Sequence, residues 1–429
     1  MSVSIRIIVA IVCLLVSDET EGKQGFGPGE QDWGHVKVRE HAYMFWWLYF
    51  VNPPCESSNN NYSVYDKPLL IWLQGGPGSS SSGYGNFNEL GPIDLDGKPR
   101  NHTWINDYNV LFIDNPVGTG FSYTTNFLGF TESNHEIGVD LVECIRGFLD
   151  IYQKFKNTST YITAESYGGK MAAEFALLWF KEQENKKIES NLKGIALGNP
   201  WISPIDSTLS WAPFLLQTGL IDYTDYEKIN KQALEMKYAI EKGKWLIAQQ
   251  KFRSTFAIIR KVTKNIDVYN FIKPRSLYEN SSSNVNDEKS PQWINKMNDV
   301  KKTLNISSTW GEHQSSVIHF LMIDDLKPVT HIIEEILNNT NLDVFVYSGQ
   351  FDIVVPTSGT LAWIENLKWK HDDEWKNSTR YPLVIDDIIE GYFKEFNHFK
   401  VYWVMRSGHM VPADNPSAMK QILKHLTKG

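Results

Sequence analysis

Six short runs of apolar and β-branched residues, at positions 69–73, 110–113, 161–164, 192–197, 344–347 and 401–405, are each bounded by turn residues. Runs this continuous have no polar face to give to water. They suit strands of a parallel sheet covered on both sides. Helical patterns lie between them, the clearest placing Met171, Phe175, Leu178 and Trp179 at helical spacing directly behind the third run and a tight turn. Alternating strands and helices predict an α/β fold, whose functional residues gather beyond the carboxyl ends of its strands.

The chain has 429 residues, 42% of them hydrophobic, enough for one large core or two modest ones. No repeat at solenoid spacing is visible, so the elements read as one domain with insertions. Between about 201 and 330 the character changes. Long charged helical stretches at 226–262 are followed by a polar run at 279–291. We read residues 23–200 and 331–429 as two parts of one core and 201–330 as an inserted, mainly helical cap. The polar run is expected to be a mobile loop, because its low hydrophobicity gives it little reason to pack. The formal charge of −8 offers no clustered cations for phosphate, so a nucleic acid partner is not expected.

Arg6 precedes an apolar run at 7–16 that is long enough for a signal-peptide core and too short to span a bilayer. Residues 1–22 therefore read as a signal peptide cleaved within 17–22, the alternatives being a buried strand or a signal anchor. Cleavage leaves no stable membrane insertion and a secreted or lysosomal protein. Export makes acceptors of the sequons at Asn61, Asn101, Asn157, Asn280, Asn305, Asn338 and Asn377. Cys13 falls in the signal, leaving Cys55 and Cys144, whose pairing stays open, so the fold must rest on its core rather than on disulfides.

The segment Tyr161-Ile-Thr-Ala-Glu-Ser-Tyr-Gly-Gly has the form of a nucleophile elbow, a serine on a tight strand-to-helix turn with its hydroxyl exposed above the sheet. Ala164 stands where the general pattern has its first Gly, and Gly168 fills the second. A serine hydroxyl needs a base, and the base needs an orienting acid. Asp352 follows the 344–347 run and the turn Ser348-Gly349, and His409 follows the 401–405 run and Ser407-Gly408. The order Ser166, Asp352, His409 is that of the α/β-hydrolase fold, a mostly parallel central sheet with helices on both faces. Each residue alone has a blander reading, as an incidental turn serine, a turn aspartate or one of 11 histidines.

The run Trp72-Leu-Gln-Gly-Gly-Pro-Gly-Ser-Ser-Ser-Ser-Gly follows a strand and allows close backbone approach. It reads as an oxyanion loop, with the N–H groups of Gly76 and Tyr167 as the two donors. A flexible Gly/Ser linker is the alternative; a phosphate loop lacks its Lys.

These segments, with Trp33-Gly-His-Val-Lys-Val-Arg, Asn86-Phe-Asn-Glu-Leu-Gly-Pro, Asp114-Asn-Pro-Val-Gly-Thr-Gly-Phe-Ser-Tyr, Glu165-Ser-Tyr-Gly-Gly-Lys-Met and Ser407-Gly-His-Met-Val-Pro, resemble the serine carboxypeptidases, most nearly their retinoid-inducible subfamily. The likeness covers nearly the whole mature chain. It implies removal of single residues from the carboxyl end of peptide substrates, through an acyl-enzyme on Ser166. It also implies that Gln74, Glu89 and Glu165, with the Gly75 amide, hold the terminal carboxylate. Two close glutamates sharing a proton can donate to a carboxylate, an arrangement stable in acid. Glu89 as a solvated charge and Glu165 as a mere flank of the turn are the alternatives. Two departures touch specificity: Gln74 stands where Asn is usual, although Gln recurs in the subfamily, and Ser79 stands where many members have a half-cystine. An acyltransferase or esterase on the same fold and a noncatalytic binding protein remain alternative functions. No metal or organic cofactor is expected, since no His/Cys/Asp cluster has ligand spacing.

Overall fold

The computed structural model describes residues 22–52, 63–274 and 288–428. The expected signal peptide, Cys13, Cys55 and the sequons at Asn61 and Asn280 lie outside the described residues. Twelve strands join in one sheet: β1 (Lys23–Gln24), β2 (Glu30–Arg39), β3 (Ala42–Tyr49), β4 (Leu69–Leu73), β5 (Asn109–Ile113), β6 (Tyr123–Thr124), β7 (Thr160–Glu165), β8 (Leu192–Gly198), β9 (Asp343–Gly349), β10 (Arg380–Ile385), β11 (Ile388–Phe396) and β12 (Phe399–Val404). Their spatial order is β1-β2-β3-β5-β4-β7-β8-β9-β12-β11-β10, with β6 beside β3.

The centre, from β5 to β12, is parallel throughout. These are the six expected strands, and β4, β5 and β7 are buried along their full length. Two antiparallel wings extend the sheet, β1-β2-β3 with β6 on one side and β11-β10 on the other. The wings were not expected from apolar runs. The residues of β10 and β11 are mostly exposed or half-buried: β11 interleaves Glu390, Lys394 and Glu395 with its apolar residues, and the apolar run of β10 is interrupted by Pro382, which argues against a strand.

Successive strand residues face opposite sides, and the sheet accordingly separates two cores. Leu69, Ile71 and Leu73 of β4 face one core, beside Ile145 and Phe148 of α1 (Asn134–Ile151) and Phe175 and Trp179 of α2 (Tyr167–Glu184). Leu70 and Trp72 face the other. Between β8 and β9 the described residues form helices and no strand: α3 (Pro204–Gln217), α4 (Tyr223–Glu241), α5 (Trp245–Val262), α6 (Pro291–Thr303), α7 (Gln314–Phe320) and α8 (Thr330–Asn339). The charged stretch at 226–262 is two helices, parted where Gly243 takes a φ of 65° and the Lys244 N–H caps the Ala239 carbonyl at 2.8 Å.

The expected mobile run at 279–291 is corrected at its end. Glu288 is buried, Ser290 caps α6 by accepting from the Trp293 N–H, and Pro291 is the first helical residue. Hydrogen bonds, rather than hydrophobicity, hold residues 288–290, and the rest of the expected loop, 279–287, lies outside the described residues.

Candidate active site

Ser166 sits between β7 and α2 with φ 60° and ψ −127°, a backbone conformation that side-chain-bearing residues rarely adopt. The turn is pinned from three sides. The Ser166 N–H donates to the Gly198 carbonyl at 2.9 Å, and the Ser166 carbonyl accepts from the N–H groups of Gly169 and Trp201, each at 2.9 Å. A Cβ on Gly168 would stand 2.3 Å from the Leu73 carbonyl oxygen, so no larger residue fits between the elbow and β4. Ala164, in place of the general pattern's first Gly, is fully buried and meets its neighbours without strain.

Asp352 and His409 are in direct contact. The His409 Nδ1–H donates to Asp352 Oδ2 at 2.5 Å, which leaves Nε2 of the neutral ring free to accept a proton. Asp352 Oδ2 also accepts from Asn199 Nδ2 at 2.8 Å, and Oδ1 accepts from the Val354 N–H at 2.8 Å. Asn199 follows β8, between the strands that lead to Ser166 and Asp352, and its Oδ1 accepts from the Gly349 N–H at 3.1 Å. A segment near 269, from the region between β8 and β9, completes the support. The His409 N–H donates to the Tyr269 carbonyl at 2.7 Å, and the two rings lie 5.1 Å apart. Ser166 shares this sheet edge, its Oγ making no hydrogen bond to His409; catalytic contacts of this kind often tighten only in the productive complex.

The Gly/Ser run is an ordered loop. Ser80, Ser81 and Ser82 are buried, which removes the flexible-linker alternative. The Gln74 N–H donates to Ser81 Oγ at 3.0 Å, and the N–H and Oγ of Ser82 donate to Asp114 at 2.8 and 2.6 Å. Burial pushes the Asp114 carboxyl up to about 6. From Ser80 onward the chain turns through a wide helical segment, Ser81–Leu90, closed by i→i+5 bonds such as Gly91 N–H to the Asn86 carbonyl at 2.9 Å. Gly75 lies on the elbow itself: a Cβ there would come within 2.7 Å of Ser166 Cβ and 3.0 Å of Tyr167 N. The N–H groups of Gly75, Gly76 and Tyr167 have no hydrogen-bond partner among the described residues. Three free donors beside one serine hydroxyl can receive an oxygen that gains negative charge.

Gln74, Glu89 and Glu165 form a second cluster. Gln74 Nε2 donates to Glu89 Oε1 at 3.0 Å and to Glu165 Oε1 at 3.1 Å, while Gln74 Oε1 accepts from Trp72 Nε1 at 2.7 Å. The Trp72 bond fixes which end of the amide faces the carboxyls. All three side chains are buried, so neither glutamate is a solvated charge. Burial pushes Glu89 up to about 7, and burial together with Glu89 beside it pushes Glu165 well above the usual carboxylate range. The two carboxyls act on each other, and Oε2 of each is buried without a donor from any other described group, an arrangement that favours a proton held between them. Glu165 immediately precedes Ser166, so this cluster adjoins the elbow.

Asn199, Asp114, Tyr269 and Glu288 were not foreseen. Asn199 and Asp114 carry a legible sign, a polar residue just past the carboxyl end of a strand. Nothing in the sequence marks Tyr269 or Glu288. Among the sequons, Asn101, Asn157, Asn305 and Asn377 are exposed, whereas the Asn338 amide is engaged, donating to the Lys368 carbonyl at 3.2 Å and accepting from the Lys370 N–H at 2.8 Å. Cys144 is a buried thiol that burial pushes far up. Among the described residues no group of three or more His, Cys, Asp or Glu could hold a metal, and no helix is long and apolar enough to cross a membrane.

A family profile described as "Serine carboxypeptidase" matches residues 22–429. The retinoid-inducible serine carboxypeptidase of Rattus norvegicus is 35% identical over 424 residues, covering 93% of this chain and 92% of the rat protein. "Serine carboxypeptidase-like 51" of Arabidopsis thaliana is 32% identical over 456 residues, covering 98% of both chains. The solved structure of Kex1(Δ)p, a prohormone-processing carboxypeptidase from Saccharomyces cerevisiae, superposes with a TM-score of 0.76 over 93% of this chain and 91% of its own, at 24% identity. That likeness shows the fold, an α/β hydrolase.

Proposed function

The chain belongs to the serine carboxypeptidase family, and from that premise we propose that it shortens peptides by one carboxyl-terminal residue at a time through an acyl-enzyme on Ser166. In this reading His409 Nε2 takes the Ser166 proton as Oγ attacks the last peptide carbonyl. Asp352 holds the ring in the tautomer that leaves Nε2 able to accept it. The carbonyl oxygen, negative in the tetrahedral intermediate, is received by the N–H groups of Gly76 and Tyr167. His409 then returns its proton to the leaving amine, breaking the C–N bond. Water, deprotonated by the same ring, releases the shortened peptide.

The observation that carries exopeptidase action is the carboxyl pair beside the elbow. A terminal carboxylate placed there meets the proton held by Glu89 and Glu165, the Gln74 amide and the free Gly75 N–H. Without that proton it would meet two negative charges. The pair therefore both selects a free terminus and requires mildly acidic conditions. The helical segment at 201–330 serves as a cap over the site, and an N-terminal export signal with exposed sequons supports a glycosylated protein of the secretory pathway, secreted or lysosomal.

The test is release of the terminal amino acid from a blocked dipeptide at mildly acidic pH by wild type and Ser166→Ala. Release by wild type alone supports the reading. Silence of folded wild type, with Ser166 still labelled by a fluorophosphonate, would point to acyl transfer to another acceptor. Absence of labelling would leave a binding protein.

A further inference from the structure

The oxyanion loop is held from two directions. The core holds its inner side through Ser81 and Asp114, as described above. Its outer side is held by a residue more than two hundred positions later. The Ser80 N–H is 3.3 and 3.4 Å from the two carboxyl oxygens of Glu288, and Ser80 Oγ hydrogen-bonds Glu288 Oε1. Gln314, the first residue of α7, bridges Glu288 Oε2 at 3.4 Å and the Gly78 carbonyl at 3.0 Å with one amide nitrogen. Ser79 adds its own hydrogen bond to the same carboxyl. Between these points the loop closes on itself, the Ser79 N–H donating to the Gly75 carbonyl at 3.1 Å. Displacing Ser80 or Gly78 therefore displaces Gly76 inside the same turn.

Glu288 is only 6% exposed, and no Lys, Arg or His among the described residues lies within ion-pairing distance of it. The charged group that acts on it is Asp114, of the same sign. A carboxyl buried without a cation is costly, and a neutral side chain would pack there at less expense. What the carboxyl supplies is two acceptor oxygens placed for two adjacent serines and an amide.

We propose that Glu288 is a positioning residue for the oxyanion hole, through which the helical segment over the site fixes the Gly76 N–H by way of Ser80 and Gln314. The inference rests on the reading of Gly76 as an oxyanion donor. Glu288 touches none of Gln74, Glu89 and Glu165 directly, so its main effect should fall on the chemical step rather than on binding of the substrate carboxylate.

The test compares wild type, Glu288→Ala and Glu288→Gln by kcat and KM on a blocked dipeptide, by the rate of fluorophosphonate labelling, and by melting temperature. Glu288→Ala should lower kcat and the labelling rate about 10- to 100-fold, less than outright loss of a donor, with KM within about twofold of wild type. Glu288→Gln, whose amide oxygen still accepts from Ser80, should recover most of the loss. Unchanged kcat and labelling in a folded Glu288→Ala, or a KM that rises as much as kcat falls, overturns the proposal. Should Glu288→Ala not fold, Gln314→Ala cuts the same bridge and should lower kcat several-fold at constant KM; wild-type kcat there overturns it equally. Failure of the wild type itself to react with the fluorophosphonate would instead break the Ser166 reading on which the proposal stands.

Discussion

Asp352 and the Glu89/Glu165 pair are equally deep, at 0%, 2% and 1% exposure, and stand at the same edge of the same sheet. Their surroundings differ. Asp352 receives three donors, from His409, Asn199 and the Val354 N–H. The two glutamates receive one amide nitrogen between them and otherwise face each other. Burial opposes charge in both places, so what separates them is the supply of donors to the ionised form. One site is built to accept a proton's hydrogen bond, the other to keep a proton.

Four experiments would break or sharpen that contrast. The largest effect is expected where the acceptor is spoiled: Asp352→Asn should lower kcat by about 10⁴-fold with little change in KM, because an amide can favour the wrong His409 tautomer. Steady-state kinetics on a blocked dipeptide measure it, and a loss under tenfold would deny Asp352 its orienting role. Next comes the proton-keeping site. Glu165→Gln should raise KM at mildly acidic pH by about tenfold or more and flatten its pH dependence, with kcat less affected. An unchanged KM would separate these carboxyls from substrate binding.

Asn199→Ala removes one donor from the acceptor site and should lower kcat by about tenfold at constant KM, the order of one hydrogen bond to a charged group. Wild-type kcat in this variant would reduce Asn199 to packing. The smallest effect is on stability. Glu89 binds its proton more tightly folded than unfolded, because burial raises its pKa, so its contribution is present at acidic pH and is lost as pH rises through the raised value. Melting temperature should therefore fall between pH 5 and 8, and by less in Glu165→Gln, where Glu89 no longer faces a second carboxyl. An equal fall in both would place its origin elsewhere.

What the sequence displays follows the same physics. The six parallel strands are legible because strands buried on both faces must be apolar at every position. Of the wings, β3 also shows its Met44-Phe-Trp-Trp-Leu-Tyr run, whereas β10 hides its Leu383-Val-Ile behind Pro382 and β11 shows no run, since exposure permits it Glu390, Lys394 and Glu395. Ser166, Asp352 and His409 are legible because local backbone needs, a tight turn or a strand end, put them in recognisable company, whereas Glu89, inside the helical segment Ser81–Leu90, and Glu165 gain their role only through the family resemblance of their segments. Glu288 and Tyr269 are not. Their partners lie far away in sequence, and neither stands in a motif or at a strand end that would single it out.

The most direct test compares a blocked dipeptide carrying a free carboxyl terminus with its carboxyl-amidated twin, measuring KM for both from pH 5 to 8. The free acid should be the far better substrate at acidic pH, with a KM that climbs as rising pH strips the raised carboxyl pair of its protons, while the amide stays poor and flat. Equal turnover of the two peptides, or a free-acid KM indifferent to pH across that range, would contradict recognition of the terminal carboxylate by a shared proton.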